Sequence, residues 1–267
     1  MLNSYSGATH VHFIVGDPIA QVKSPYGMTE AFEQRGVDAI CVPAHVSSAQ
    51  LTAWFEGVRL SKNVDGIMVT VPHKFDFQAL CDTCSPRAQF LQAVNAVRRL
   101  PDGRWHGDMF DGLGYVQAIQ EKGCQLQGKK ALLVGTGGAG SAIAHALVMA
   151  GVQVLALHDA DTHRIERLRA GLSSLGKADI RVGSTDPRGY DIVLNATPMG
   201  MRAGDPLPVQ VEHLNPSMLV GCVVTVPAVP PLIEAARALG CMTTTGADMF
   251  AKVRTLMVDF LLGNEVA

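Results

Sequence analysis

Short apolar runs alternate with stretches whose apolar residues recur at helical spacing along most of the chain. Residues 11–15 read as a buried strand. Ser24-Pro25 reads as an N-cap followed by proline at N1, opening a helix through Gln34 that Gly36 closes. Residues 39–44 predict a second strand, Ser47 or Ser48 the cap of a helix over 49–60, and residues 66–71 a third strand ended by Pro72. Residues 93–100, followed by Pro101-Asp102-Gly103, predict a hairpin. Asp111 to Lys122 reads as a helix, and a stricter alternation follows: strand 131–135, helix 141–150, strand 152–158, helix 161–175, then strands at 179–183, 191–197 and 218–224. A helix over 230–240 begins with proline, and the tail, 248–262, places Met249, Val253, Leu256, Met257 and Phe260 on one helical face. Alternating β and α segments imply a mostly parallel sheet in each half.

One stretch has two readings. From Ala131 to Leu157 there is no Asp, Glu, Lys or Arg, which is long enough to span a bilayer. Five glycines interrupt it, four of them between Gly135 and Gly140, where they would break a helix. A buried strand, a glycine turn, a helix ending at Gly151 and a second buried strand fit better, because a parallel strand covered on both faces reads as continuous apolar sequence.

Composition narrows the class. Of 267 residues, 48% are hydrophobic and 17% charged, enough to bury a core and too ordered for a collagen, coiled-coil or low-complexity chain. The formal charge of −2 offers no basic field for nucleic acid. The first residues have no basic segment followed by a long apolar one, so no secretory signal is expected. The six cysteines lie mostly in apolar runs, as reduced thiols do, which points to a reducing, cytoplasmic setting. Cys81 and Cys84 form a C-x-x-C without a second pair or spaced histidines, and the nine histidines form no ligand motif, so no metal is expected.

Candidate chemistry sits in two places. Gly135-Thr136-Gly137-Gly138-Ala139-Gly140 fits G-x-G-x-x-G between a strand and a helix. Gly135 would make the tight turn, Gly137 would let a pyrophosphate approach the backbone, and Gly140 would let helix and strand pack closely. Asp159 ends the next strand nineteen residues past Gly140, where an acidic residue meets the adenine-ribose hydroxyls. The plainer alternative is an aspartate that caps the following helix. Lys74 follows a buried strand, Asn95 lies inside an apolar run where its amide needs a partner, and Asp111 stands at the junction to the glycine-rich half. Taken alone Lys74 is a solvated lysine opening a helix; with Asn95 and Asp111 it could converge on one polar ligand. His73 either lines that cleft or is an ordinary surface histidine.

Over nearly its whole length the chain resembles the shikimate/quinate dehydrogenase family. The family's opening G-x-P-x-x-x-S-x-S-P loop corresponds to Gly16-Asp17-Pro18 through Val22-Lys23-Ser24-Pro25. Its G-x-N-V-T-x-P-x-K corresponds to Gly66-Ile67-Met68-Val69-Thr70-Val71-Pro72-His73-Lys74, and its A-V-N to Ala93-Val94-Asn95. Its G-x-N-T-D-x-x-G corresponds to the segment from Gly107 to Gly114 that contains Asp111. The loop beside the nicotinamide is Asn195-Ala196-Thr197-Pro198-Met199-Gly200-Met201. The resemblance implies reversible hydride transfer between a ring hydroxyl carbon and C4 of a nicotinamide, with Lys74 and Asp111 as the catalytic pair and Ser24, Thr70 and Asn95 on the substrate. It implies an α/β fold of two domains: a substrate domain over 1–108, a Rossmann domain over 109–244, and a C-terminal helix over 245–267 returning to the first.

Departures from the family pattern matter as much. Val22 replaces the first of two hydroxyls for the substrate carboxylate, and Met68 replaces an Asn. Thr225 and Val253 fall where the family has a Tyr and a Gln, and Phe110 replaces a Thr. Lys23, Lys252 and Arg254 lie beside these positions as cations for a carboxylate placed differently. The chemistry is retained while the substrate shell turns apolar, so weak activity on shikimate or quinate is expected. The alternatives are the same chemistry on a cyclic polyol lacking the carboxylate, or a non-catalytic NAD-binding protein, which would not need the Lys74–Asp111 pair. Asp159-Ala160-Asp161 stands where NADP-using members carry Asn-Arg-Thr, so NAD is the expected cofactor. The expected partner is a small cyclic hydroxy acid or polyol, with no nucleic acid and no membrane, and a homodimer is the assembly to test.

Overall fold

The computed structural model describes residues 5–264. The chain divides into two compact units, Met1–Phe110 with Arg254–Ala267, and Asp111–Val253.

The first unit is built on a mixed six-stranded sheet. Its strands are β1 (His10–Gly16), β2 (Ala39–His45), β3 (Val64–Val69), β4 (Thr83–Cys84), β5 (Ala96–Arg99) and β6 (Trp105–Asp108), in the order β2-β1-β3-β5-β6-β4. β1, β2 and β3 run parallel; the expected hairpin pairs β5 and β6 antiparallel, with Gly103 at φ +85° in its turn, β5 also runs antiparallel to β3, and β4 pairs parallel with β6. Helices α1 (Ser24–Gln34), α2 (Leu51–Arg59), α3 (Lys74–Gln78) and α4 (Pro86–Leu91) connect the strands. Phe55, Phe77 and Trp105 form one aromatic cluster of the core, with ring centroids 4.8 and 5.4 Å apart.

The start of α1 differs from the expectation that Ser24 caps it. Lys23 already has near-helical dihedrals (φ −99°, ψ −6°) and is the N-cap, and no side chain caps the helix. A capping hydroxyl needs an extended backbone to reach the N–H groups of the first turn. The turn closed by Val22 N–H on the Ile19 carbonyl (3.2 Å) brings the chain in helical instead, so Ser24 stands inside the first turn. The cysteines also divide more evenly than their sequence settings suggest: Cys41, Cys222 and Cys241 are buried, whereas Cys81, Cys84 and Cys124 are half-buried.

The second unit is a fully parallel sheet of β7 (Lys130–Val134), β8 (Val154–His158), β9 (Asp179–Val182), β10 (Ile192–Asn195), β11 (Leu219–Cys222) and β12 (Met242–Thr244), in the order β12-β11-β10-β7-β8-β9. β7 and β10 lie side by side at the centre, and the chain runs outwards from them in both directions. A topological switch point of this kind leaves a crevice at the carboxyl ends of the two strands. The apolar run expected as strand, helix and strand is β7, α6 (Gly138–Met149) and β8, with Gly151 at φ +88° just past the helix. α5 (Asp111–Glu121), α7 (Thr162–Ser174) and α8 (Pro231–Ala238) complete the unit.

The last helix, α9 (Gly246–Leu261), begins in the second unit and ends in the first. Its early residues meet α5 and the turn after it: Lys122, just past α5, pairs with Asp248 at 3.0 Å, and Val253 packs on Gly114 so tightly that a Cβ there would lie 2.5 Å from Val253 Cγ2. Its later residues belong to the first unit, where Arg98 donates to the Phe260 carbonyl (2.9 Å) and stacks on its ring. No helix among the described residues is long and apolar enough to cross a membrane.

Candidate active site

In the first unit the candidate residues gather at the carboxyl ends of β1 and β3. Thr70 follows β3, and its N–H donates to the Val15 carbonyl at 3.0 Å. Its methyl fills the space over Gly16, where a Cβ would lie 2.5 Å from Thr70 Cγ2. Lys74 opens α3 four residues on and is half-buried. Its carbonyl accepts the Val94 N–H (2.9 Å), which ties the lysine turn to the segment carrying Asn95.

Asn95 is 1% exposed and joins three segments. Its carbonyl accepts Val69 N–H (2.9 Å), its own N–H donates to the Asp108 carbonyl (2.9 Å), and its side-chain Oδ1 accepts Phe110 N–H (2.9 Å). Since Asp111 is the next residue, this last bond fixes the chain direction just before the aspartate. Asp111 is itself buried at the first position of α5. Asp108 has a different role. It accepts Arg87 Nε and Nη2 at 2.8 and 2.7 Å, Met109 N–H at 2.7 Å and the Ser85 hydroxyl, so its charge is answered locally.

His73 is fully buried, and its Nε2 donates to the Val46 carbonyl at 2.7 Å. It anchors the turn before Lys74 to the loop after β2. Sequence left it between cleft and surface, because the deciding partner is a backbone carbonyl from another element. The altered positions have varied settings. Val22 is half-buried in the turn before α1, Met68 is 2% exposed inside β3, and Val253 is buried against α5.

In the second unit the glycine loop follows β7. Gly135 has φ +100°, and a Cβ there would lie 2.8 Å from the Ala196 carbonyl carbon. A Cβ on Gly140 would lie 2.0 Å from the Gly135 carbonyl oxygen. Both glycines are thus demanded by protein atoms. Gly137 is not, since a Cβ there meets nothing within 4 Å. It is the N-cap of α6, next to Gly138 and Ala139, whose N–H groups belong to the unsatisfied first turn. Open space at that glycine, over a helix N-terminus, suits a phosphate group.

Asp159 lies just beyond the end of β8 and binds this loop directly. Its Oδ2 accepts Thr136 N–H (2.6 Å) and the Thr136 hydroxyl (2.9 Å), and its Oδ1 accepts Asp161 N–H (3.0 Å). Burial pushes its carboxyl up, but those three bonds and Arg164 outweigh burial and hold it below the ordinary carboxylate value. A carboxylate accepts at about four positions, so room for a further donor remains. Asp161, by contrast, is the cap of α7, accepting His163 and Arg164 N–H at 3.0 and 3.2 Å.

Asn195 is fully buried at the end of β10 and organises the loop after it. Its Oδ1 accepts Thr197 N–H (3.0 Å) and the Thr197 hydroxyl (2.6 Å), while its Nδ2 donates to the Met199 carbonyl (3.1 Å). The side chain is spent inside the loop, so Ala196 to Met199 present backbone and apolar groups. Gly135 packs on Ala196, which sets this loop beside the glycine loop at the switch point. No group of three or more His, Cys, Asp or Glu that could hold a metal occurs among the described residues.

A family model described as the shikimate dehydrogenase substrate binding domain matches residues 14–97. The chain is 35% identical over 249 residues to the shikimate dehydrogenase (NADP(+)) of Rubrobacter xylanophilus, covering 91% of this chain and 87% of that protein. Shikimate 5-dehydrogenase from Listeria monocytogenes, solved with shikimate and NAD, matches with a TM-score of 0.91 at 27% identity, over 100% of this chain and 96% of that one. The ligand-free 5-ketofructose reductase of Gluconobacter sp. matches with a TM-score of 0.87 at 25% identity, over 97% of this chain and 95% of that one.

Proposed function

This chain belongs to the shikimate/quinate dehydrogenase family, an NAD(P)-dependent oxidoreductase by that membership, and we propose that it uses NAD to oxidise and reduce a ring hydroxyl carbon of a shikimate- or quinate-like cyclic substrate. The observation that carries this reading is the mooring of the catalytic segment. Asn95 holds the end of β3, the chain before Asp111 and, through its neighbour Val94, the Lys74 turn in one hydrogen-bonded unit. A binding protein has no need to tether the Lys74 turn and the backbone just before Asp111 so closely.

The residues of the second unit fit a dinucleotide. Gly137 leaves room for a pyrophosphate, the first turn of α6 offers N–H donors, and Asp159 keeps acceptor capacity for a ribose hydroxyl. A nicotinamide bound there would supply the hydride chemistry, as acceptor in oxidation and donor in reduction. The protein's share is the proton. Oxidising a secondary alcohol requires the hydroxyl proton to leave as the hydride does, and the Lys74–Asp111 pair receives it. In reduction the same pair gives a proton to the carbonyl oxygen. Thr70 and Ser24, at the strand ends and the first turn of α1, orient the ring.

A second reading keeps this chemistry on a polyol without a carboxylate. It is favoured by Val22 and Val253, which offer no hydrogen bonds, and by the likeness to a 5-ketofructose reductase. Turnover of shikimate, quinate and a panel of neutral cyclic polyols, with NAD and NADP in parallel, tests both. Oxidation of the ring acids with NAD supports the first reading, oxidation of neutral polyols alone supports the second, and turnover of none of them rejects both.

A further inference from the structure

Val22 stands where the family places the first of two hydroxyls for the substrate carboxylate, and Val253 where it has a Gln that meets the substrate, so Ser24 is the carboxylate hydroxyl that remains. Three cations stand near these positions in sequence, and their settings differ. Lys252 is ion-paired with Glu121 of α5. Lys23 is exposed at the entry to α1. Arg254 is half-buried and lies across α1 at Gly27, with Nη1 3.3 Å and Cδ 3.6 Å from where a Cβ of that glycine would be.

Gly27 needs a reason. It lies in the interior of an eleven-residue helix, where glycine is the poorest choice after proline, and its φ is not positive. Its use is room, because the missing side chain lets the Arg254 stem and guanidinium lie on the helix backbone. The register of α9 on α1 is fixed further along by the Arg35–Asp259 ion pair at 3.1 Å. This keeps Arg254 over the first turn rather than further down the helix.

Gly27 follows Ser24 by three residues, so both lie on one face of α1. Ser24 is the hydroxyl that the family pattern retains, and the turn before α1 has released it from capping. No carboxylate of the described residues pairs with Arg254, whereas Arg35, Arg59 and Arg87 in the same unit each have one. A half-buried guanidinium with donors to spare, one helical turn from a hydroxyl, is built for a planar anion.

We infer that Arg254 binds the carboxylate of the ring substrate together with Ser24, replacing the hydroxyl lost at Val22. The inference rests on the proposed hydride transfer at a ring hydroxyl and adds to it the residue that would favour ring acids over neutral polyols. Arg254 is a specificity residue and takes no part in moving the proton or the hydride. Its removal therefore acts on KM for acids.

The test is steady-state kinetics of the full chain with NAD, using shikimate and quinate and, as neutral probes, their methyl esters. Arg254→Met should raise KM for the acids by about 10–100-fold, leave kcat within about threefold and leave KM for the esters unchanged. Arg254→Lys should fall between, since a lysine keeps the charge but not the fork. Gly27→Ala adds a methyl 3.3 Å from Nη1 and should raise KM for the acids in the same direction. Binding of NAD, measured by fluorescence, should be unchanged in all three and serves as the folding control. If Arg254→Met fails that control, the Lys and Gly27 variants decide. An acid KM that does not move, or an ester KM that rises equally, overturns the role of Arg254 while leaving the dehydrogenase reading intact. A wild-type enzyme that turns over neither acids nor esters overturns that reading, and this inference with it.

Discussion

The two units build their candidate sites by different means. In the second unit the site is mostly backbone: a glycine loop, the first turn of α6 and the loop ordered by Asn195, all at the switch point between β7 and β10. In the first unit the site is made of side chains from separate elements: Ser24 on α1, Thr70 after β3, Lys74 on α3 and Asn95 before β5. The first unit holds the elements that carry them with buried polar anchors, including the Arg87–Asp108 ion pair and the His73–Val46 bond. A backbone site constrains residues that are contiguous in sequence. A side-chain site constrains residues far apart, and its precision depends on buried polar anchors that no local pattern reveals.

The sharpest way to separate the two units is to remove chemistry from one and leave binding in the other. Lys74→Ala should lower kcat by about 10²–10⁴, the usual cost of losing a positioned acid–base group. NAD affinity should hardly change, because every residue assigned to the dinucleotide lies in the other unit. Near-normal kcat on the best substrate would remove Lys74 from the mechanism, and a large loss of NAD affinity would deny the division of labour.

A buried histidine of the first unit should make the protein acid-sensitive. His12 is 2% exposed and packs on Phe32 with ring centroids 4.6 Å apart. Burial pulls its pKa from 6.5 down to about 4, helped by His10 and opposed by Asp65. The unfolded chain therefore binds a proton between about pH 6.5 and 4 that the folded chain does not. Stability is fully present above about pH 6.5 and is lost as pH falls towards 4, by about 3 kcal/mol in all. Thermal unfolding between pH 7 and 4 should show this slope in the wild type and a shallower one in His12→Gln. Parallel slopes would assign the acid sensitivity to other groups.

The same contrast governs what could be read without coordinates. The parallel sheet of the second unit was legible because strands covered on both faces read as unbroken apolar runs, and Gly135 to Gly140 punctuate them. β12 was missed because three residues at the sheet edge, two of them threonines, are too short and too polar a run to carry such a signal. The two-residue β4 and the short α4 escaped for lack of length, whereas the helix opened by Lys74 was read as such. Lys74 and Asn95 stood out only in company and through family resemblance, since neither spacing nor period joins α3 to β5. The cap assigned to Ser24 failed because the turn closed by Val22 on Ile19 already brings Lys23 in near-helical, which the Ser-Pro pair does not reveal. Arg87, the partner that neutralises Asp108, had no sequence signal beyond its charge.

Within the glycine loop, two substitutions should behave oppositely. Gly140→Ala would place a Cβ 2.0 Å from the Gly135 carbonyl oxygen, a backbone atom that cannot swing away. Overpacking of this kind costs about 1–3 kcal/mol of stability, and NAD binding should fall with it. Gly137→Ala meets no protein atom, so its melting temperature should stay near wild type while NAD affinity drops about tenfold, or about 1.4 kcal/mol. Differential scanning calorimetry beside NAD titration resolves the two. A Gly137→Ala protein that binds NAD normally would show that no phosphate approaches the backbone there.

The smallest expected effect concerns which dinucleotide the second unit takes. A 2′-phosphate adds charge where the adenine ribose sits, and it needs a cation to answer it. Here the segment is Asp159-Ala160-Asp161, with no basic residue at its centre. Asp159 is held below the ordinary carboxylate value, burial opposing and the bonds from Asp161 and Thr136 prevailing, so it stays ionised at neutral pH. Arg164 pairs with Asp161 at 3.2 Å, and a phosphate would have to compete for it with that carboxylate. A ribose diol can donate to Asp159, whereas a phosphate ester would be repelled by it. NAD should therefore be preferred over NADP by at least about tenfold in kcat/KM, or about 1.4 kcal/mol. Replacing Asp159-Ala160-Asp161 with Asn-Arg-Thr should reverse the preference while leaving KM for the ring substrate in place, because the change lies in the backbone-built unit. Equal efficiency with NADP in the wild type would mean that the phosphate is held by groups outside this segment, and the cofactor assignment would fall.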